Sequence, residues 1–358
     1  MEIHQLLPSL QYGDAIGNHA IGIRNSLRAW GFTSEIFVGG AHDKVAHLCR
    51  DFGEHRSRSA SGNILIYHHC IGGTEAFKYF LSAQDRRVVI YHNITPASYF
   101  AHFNPELERA AGQGREELRL LREVVYRAWG DSPYNCDEMT ELGFRDVRVL
   151  PIAVDFDDLD AVAPNPYVMD FFDEDYENLL FVGRISPNKR QDQLIRFFDH
   201  YQKEVCPRSR LFLVGGYGGM ESYCNHLLQL MGEKRATNII LSGHIHLSEL
   251  VAYYRLADVF VCLSEHEGFC VPLLESMHFG VPIVALDSTG VAATLGGAGI
   301  KVKESSETSV AFAVRSLLDD KQRLEDTVET QRRRLRDFDK EKIDVVLRDY
   351  IEEIAANA

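Results

Sequence analysis

The sequence has no surplus of positive charge: 38 Lys and Arg stand against 52 Asp and Glu, for a formal net charge of −14. That excludes a general nucleic-acid binder, since neutralising a phosphate backbone takes clustered Lys and Arg in excess. Any phosphate site must therefore be local. There is no CxxC pair either. The seven cysteines (Cys49, Cys70, Cys136, Cys206, Cys224, Cys262 and Cys270) are odd in number and scattered, which fits reduced cytosolic thiols better than a disulfide framework. No stretch approaches the ~18 apolar residues of a membrane span. The opening MEIHQLLPSLQYGD lacks the basic start and long apolar core of a signal peptide, so the expected location is the cytoplasm. Peripheral contact with the inner face of a membrane stays open. Residues 105–129 are helical in pattern, but their five Arg are balanced by five Glu, a weak case for lipid binding. Low-complexity segments and internal sequence repeats are also missing.

What is present is an ordinary globular composition, 45% hydrophobic and 25% charged, over 358 residues. That length exceeds what one hydrophobic core usually serves and favours two domains. Short apolar runs alternate with amphipathic stretches, the pattern of an α/β protein whose parallel sheets are covered on both faces. Strands are expected near Ile3–Leu7, Glu35–Val38, Ile64–Tyr67, Val88–Tyr91, Val125–Arg127 and Val147–Leu150. In the second half they are expected near Leu179–Val182, Leu211–Val214, Ile239–Leu241, Val259–Leu263, Pro282–Leu286 and Ile300–Val302. Residues 151–177 carry two Pro-containing turns and an acidic cluster, a composition that reads as a solvated linker. The expected division is a first doubly wound domain over 1–155, a linker over 156–178 and a second doubly wound domain over 179–339. A final helix over 340–358 has an apolar face that caps the second domain or packs back on the first.

The segment most concentrated in chemistry is Ser264–Glu275 (SEHEGFCVPLLE), which follows an apolar strand and leads into a helix. Pro272 suits a first helical position and Gly280 a helix end. A helix amino end after a buried strand presents backbone N–H groups and a positive dipole end to an anion. Glu267 and Glu275 beside such a site are suited to hydroxyl groups, such as those of ribose and hexose. Two Glu near a helix start are common by themselves. The longer string EGFCVPLLESMHFGVPIVALD, however, closely resembles the Glu-Gly-Phe-Gly-x-x-x-x-Glu signature of retaining glycosyltransferases of family 4, whose fold is GT-B: two doubly wound, Rossmann-like domains facing a central cleft.

The resemblance is strong from Leu179 to Gly299 and moderate before it, and it assigns roles. VGRISPNK (Val182–Lys189) resembles the segment in which an Arg and a Lys grip a donor diphosphate, nominating Arg184 and Lys189 beside Gly183. A diphosphate bound without a metal needs fixed cations of this kind. SGHI (Ser242–Ile245) resembles the loop facing the nucleobase, nominating His244 and Ile245. Gly268, Phe269, Cys270, Val271 and Leu274 complete the expected donor site, with Glu275 on the ribose and Glu267 on the donor sugar. LQYGDAIGN (Leu10–Asn18) is not a GxGxxG fingerprint. The family places a glycine loop there, so Gly17 joins the donor site and Gly13, Asp14 and Asn18 the acceptor side. YHNITP (Tyr91–Pro96) nominates His92 as a sugar contact and Asn93 on the acceptor side, whereas His68 and His69 read as satisfied core histidines. Ser132 reads as a helix cap.

Two positions depart from the family pattern. Cys270 replaces the second glycine of the signature and narrows the choice of sugar, and Ala293 stands where the family commonly has Glu. The implied enzyme is a metal-independent, retaining hexosyltransferase. It uses no cofactor, takes a nucleotide diphosphate sugar as co-substrate, and serves a glycan or lipid-linked acceptor in surface polysaccharide synthesis. A nucleotide-sugar epimerase and a non-catalytic nucleotide-sugar-binding module on the same fold are the alternatives. No metal site is expected, because His68-His69 and His244-x-His246 have no carboxylate pair at ligand spacing.

Overall fold

The computed structural model describes residues 1–154 and 156–356. The expected domain boundary at residue 155 and the last two residues of the expected terminal helix lie outside them. The chain divides into two compact units. One holds Met1–Ser98, Glu106–Val154 and the chain from Phe338 onward, and the other holds Tyr99–Pro105 and the chain from Phe156 to Asp337.

In the first unit seven parallel strands, β1 (Ile3–Leu7), β2 (Ile36–Val38), β3 (Arg50–Asp51), β4 (Ile64–His69), β5 (Arg86–Tyr91), β6 (Arg127–Gly130) and β7 (Val147–Val149), stand in the order β3-β2-β1-β4-β5-β6-β7. The second unit holds six, β8 (Glu177–Val182), β9 (Ser209–Val214), β10 (Ile239–Gly243), β11 (Val259–Cys262), β12 (Ile283–Leu286) and β13 (Ile300–Val302), in the order β10-β9-β8-β11-β12-β13. Central strands such as β1, β4 and β9 are buried along their whole length, as expected of parallel strands covered on both faces. In each sheet the strand order reverses at one place, between β1 and β4 and between β8 and β11. In open α/β sheets, ligands bind beyond the carboxyl ends of the strands at such a reversal. The loops following β1, β8 and β11 contain half of the residues nominated above, among them Gly13, Asp14, Arg184, Lys189 and Glu267.

β6 starts at Arg127, two residues later than the start expected at Val125. Val124 and Val125 are taken by the turn that ends the helix Pro105–Leu121, both amides donating to the Leu121 carbonyl. Arg127–Gly130 then pair with Val88–Tyr91. The stretch read as a solvated linker instead forms two short helices, Phe156–Asp160 and Pro166–Phe171. It also buries Phe172 edge-on against Phe212, their ring centroids 4.9 Å apart. The reason is its aromatic content, which composition alone placed among acids. The terminal helix Lys340–Ala356 buries Ile343, Leu347, Ile351 and Ile354. It is tied to the first unit by Ser26 Oγ donating to Asp344 at 2.6 Å and Arg86 donating to the Ile354 carbonyl at 3.0 Å. No described helix is long and apolar enough to cross a membrane.

Candidate functional site

The site in the second unit is built from two loops. After β8, Gly183 and Arg184 lead to a single helical turn, Pro187–Lys189. Buried Gln191 fixes this loop, accepting from the Ser186 amide at 3.3 Å and donating to the Arg184 carbonyl at 3.0 Å. After β11 comes the 264–270 loop, and buried Asn188 joins the two: its amide group donates to the His266 carbonyl at 2.9 Å, and its own carbonyl accepts from the Glu265 amide at 2.9 Å. The turn residues between Arg184 and Lys189 thus hold the neighbouring loop in place.

This joining brings Lys189 and Glu267 together. The Lys189 ammonium lies 2.5 Å from both carboxylate oxygens of Glu267, whose side chain is only 8% exposed. Burial works against the charge on Lys189, but Glu267 outweighs it and holds the ammonium above its ordinary value. A carboxylate alone beside an anion site would repel the anion. With Lys189 across it, Glu267 is neutralised and still has acceptor capacity for hydroxyl groups.

Glu267 is placed from the other side by the helix Thr289–Leu295. The Thr289 hydroxyl accepts from the Glu267 amide at 2.9 Å, and the Gly290 amide donates to the Glu267 carbonyl at 3.0 Å. Only glycine permits this approach, since a Cβ at Gly290 would lie 2.2 Å from the Gly268 carbonyl oxygen. Ala293, in the same helix, offers its carbonyl to Arg334 at 2.7 Å. Gly268 and Phe269 continue the loop to Cys270, which sits in the left-handed region at φ 75° just before the helix Val271–His278. That conformation suits glycine and costs an L-residue about 1–2 kcal/mol. Cys270→Gly is therefore expected to raise unfolding stability by about 1 kcal/mol, checked by denaturant titration.

Glu275, half-buried within that helix alongside Leu274, accepts from the Tyr254 hydroxyl at 2.6 Å. Burial pushes its carboxyl above the ordinary 4.5, and the Tyr254 bond offsets part of the rise. Arg184 is exposed and donates to the Gly218 carbonyl at 2.8 Å. His244 is exposed and Ile245 half-buried, both in the loop between β10 and the helix Leu247–Leu256.

The nominated residues of the first unit gather at the carboxyl ends of its strands. Gly13 turns the chain at φ 74°, Asp14 caps the helix Ala15–Ala29 by accepting from the Gly17 amide at 3.2 Å, and Asn18 is exposed on its first turn. Asn93, left-handed at φ 69°, donates to Asn135 at 3.0 Å. Ser132 does cap a helix, accepting from the Asn135 amide at 3.3 Å. His92 is buried at the strand end, its Nδ1 2.8 Å from Asp131 and its Nε2 2.7 Å from His68 Nδ1, so both ring nitrogens have partners inside the unit. Burial holds His68 well below the ordinary histidine value, His69 at about 4 and His19 at about 3. Burial raises the Asp131 carboxyl, against the pull of His92.

Sequence reasoning missed Asp131, Tyr254, Thr289 and Gly290. Asp131 directly follows the strand ending at Gly130; the other three carry no local signal.

Residues 170–334 match the family described as glycosyl transferases group 1. The chain is 34% identical over 161 residues to a D-inositol 3-phosphate glycosyltransferase of Kineococcus radiotolerans, covering 41% of this chain and 37% of that protein. It is 32% identical over 145 residues to the O-antigen chain mannosyltransferase B of Escherichia coli, covering 39% and 37%. The matched stretch thus spans little more than a third of these curated relatives. Among solved structures, the sucrose-phosphate synthase of Thermosynechococcus elongatus superposes with a TM-score of 0.79 at 16% identity, covering all of both chains. Anabaena HepE in complex with UDP-glucose gives 0.76 at 15% identity, covering 99% of this chain and 100% of that one. Residues 170–334 are a glycosyl transferases group 1 domain, in a chain with the GT-B fold.

Proposed function

We propose that the protein is a retaining glycosyltransferase that moves a sugar from a nucleotide diphosphate donor to a glycan or lipid-linked acceptor, holding the diphosphate without a metal. The observation that carries this reading is the Lys189–Glu267 pair, fixed between two loops at the strand reversal of the second sheet. On this reading Arg184 and Lys189 receive the diphosphate, Glu275 accepts from the ribose hydroxyls, and Glu267 orients the donor sugar.

In the reaction the anomeric carbon–oxygen bond breaks and its electron pair stays on the leaving diphosphate. The acceptor oxygen bonds to the same face of the sugar and passes its proton to a donor phosphate oxygen. Negative charge builds where Arg184, Lys189 and the amino end of the helix Val271–His278 provide fixed positive groups, which is preorganised electrostatic stabilisation. The E. coli relative is named for O-antigen chain synthesis, which supports a surface glycan as acceptor. The HepE complex makes uridine donors the first to try.

Incubation with UDP-glucose, other nucleotide sugars and lipid-linked glycans in the presence of a chelator tests the proposal. The expected result is a product whose anomeric configuration by NMR matches that of the donor, with turnover lost in Arg184→Ala. An inverted product would overturn retention, and wild-type turnover in Arg184→Ala would overturn the site assignment.

A further inference from the structure

His19, His68 and His92 come together inside the first unit, one ring nitrogen from each lying within 4.8 Å of the others. His19 lies on the helix Ala15–Ala29, His68 near the end of β4, and His92 directly after β5. All three are buried. The His68 and His92 rings are nearly parallel, 9° apart, while the His19 ring stands at 89° to both.

Hydrogen-bond direction fixes what the inner nitrogens present to one another. The Gln5 amide nitrogen donates to the Ala20 carbonyl at 2.9 Å, so its oxygen is the atom 2.9 Å from His68 Nε2. An amide oxygen only accepts, so His68 Nε2 carries the hydrogen. On the other side, His92 Nδ1 lies 2.8 Å from Asp131, and an ionised Asp131 can only accept, so the hydrogen is then on His92 Nδ1. With both outer nitrogens donating, neutral rings direct two lone pairs at each other across 2.7 Å, from His68 Nδ1 and His92 Nε2. Such a contact is repulsive unless a positive species lies between the two atoms. Outer N–H groups tied to a carboxylate and an amide oxygen are also the arrangement that orients metal-ligating histidines.

A shared proton would relieve the lone-pair contact, but it would leave His19 unexplained. Both His19 ring nitrogens are buried without a hydrogen-bond partner in the protein, and an unsatisfied buried polar group costs about 1–3 kcal/mol. A metal ion uses all three rings at once.

We propose that His19, His68 and His92 form a binding site for a divalent transition metal, zinc first, with Asp131 and Gln5 orienting two of the ligands. Three imidazoles suit Zn²⁺ and its neighbours, and a tetrahedral ion leaves a fourth position for water or hydroxide. With Zn–N bonds of about 2.0 Å the ligand nitrogens stand about 3.3 Å apart. His68 and His92 must therefore separate slightly and His19 must move inward. The site belongs to the first unit and is independent of how the second unit holds a diphosphate.

The test is titration of the chelator-stripped full-length chain with Co²⁺, followed by visible d–d absorption, with Zn²⁺ as competitor. Expected are one equivalent of Co²⁺ bound, displacement by Zn²⁺, and a loss of affinity of at least about 100-fold in His19→Ala and His68→Ala, with exposed His47→Ala unchanged. If a variant fails to fold by circular dichroism, the stoichiometry and spectrum of the wild type decide. A folded wild type that takes up no stoichiometric Co²⁺ would overturn the proposal, as would a folded His19→Ala of wild-type affinity. So would a proton resonance shared by the His68 and His92 rings that persists in excess Zn²⁺.

Discussion

Lys189→Ala is expected to lower kcat by about two to three powers of ten, with a stability loss of about 1–3 kcal/mol. Two effects combine. The substitution removes a fixed cation from the place where leaving-group charge develops. It also leaves Glu267, with a side chain only 8% exposed, as an unpaired carboxylate beside an anionic donor. Removing one partner of a buried ion pair costs far more than the pair contributes; the figure is kept modest because Lys189 retains 21% side-chain exposure. Lys189→Ala/Glu267→Gln should therefore recover most of the stability and none of the activity, read by denaturant melts and steady-state kinetics. The pair itself is not a pH switch near neutrality. The folded-state value of Lys189 is raised above 10.5, so its stabilisation is complete below 10.5 and is lost only as pH climbs through that higher value.

Glu275→Gln should have effects of opposite sign on stability and binding. Burial has raised the carboxyl above 4.5, so the folded chain binds the proton more tightly than the unfolded one. The ionised group therefore costs stability as pH rises through that window, and at neutral pH the cost is fully present. A neutral amide that still accepts from Tyr254 should raise the unliganded melting temperature by a few degrees. The same change removes a charged acceptor from the ribose hydroxyls, worth about 1.5–3 kcal/mol, and should weaken donor binding roughly 10- to 100-fold. In the wild type, donor affinity should fall as pH drops through the raised Glu275 value. Calorimetric titration of donor from about pH 4 to about pH 8, on wild type and Glu275→Gln, measures the change in affinity. An unchanged affinity in Glu275→Gln would remove Glu275 from the donor site.

How much was legible depended on whether the cause was local. The apolar runs of β4, β9 and β11 betray themselves because parallel strands buried on both faces admit little else. The 264–275 segment was legible because a strand, a loop and a Pro-started helix follow within a dozen residues. The Lys189–Glu267 pair was not. Its members lie 78 residues apart and meet because β8 and β11 are neighbours in the sheet while β9 and β10 lie on the far side of β8. The His92–Asp131 pair arises the same way, each residue following one of two adjacent strands, β5 and β6. The partners of the His92 ring, Asp131 and His68, were not legible because a strand-end position says nothing about which way an imidazole turns. Cys270 was legible as a departure from the family pattern, but its physical meaning, a left-handed backbone that favours glycine, needed the dihedral angle.

The most direct test of the donor-site account is a thermal-shift panel of UDP, GDP, ADP and their common sugar conjugates, in a chelator, on wild type and Glu275→Ala. The account predicts that one nucleotide family stabilises the wild type and that the stabilisation disappears in the variant. A wild type stabilised by none of them, or a variant stabilised as strongly as the wild type, would contradict it.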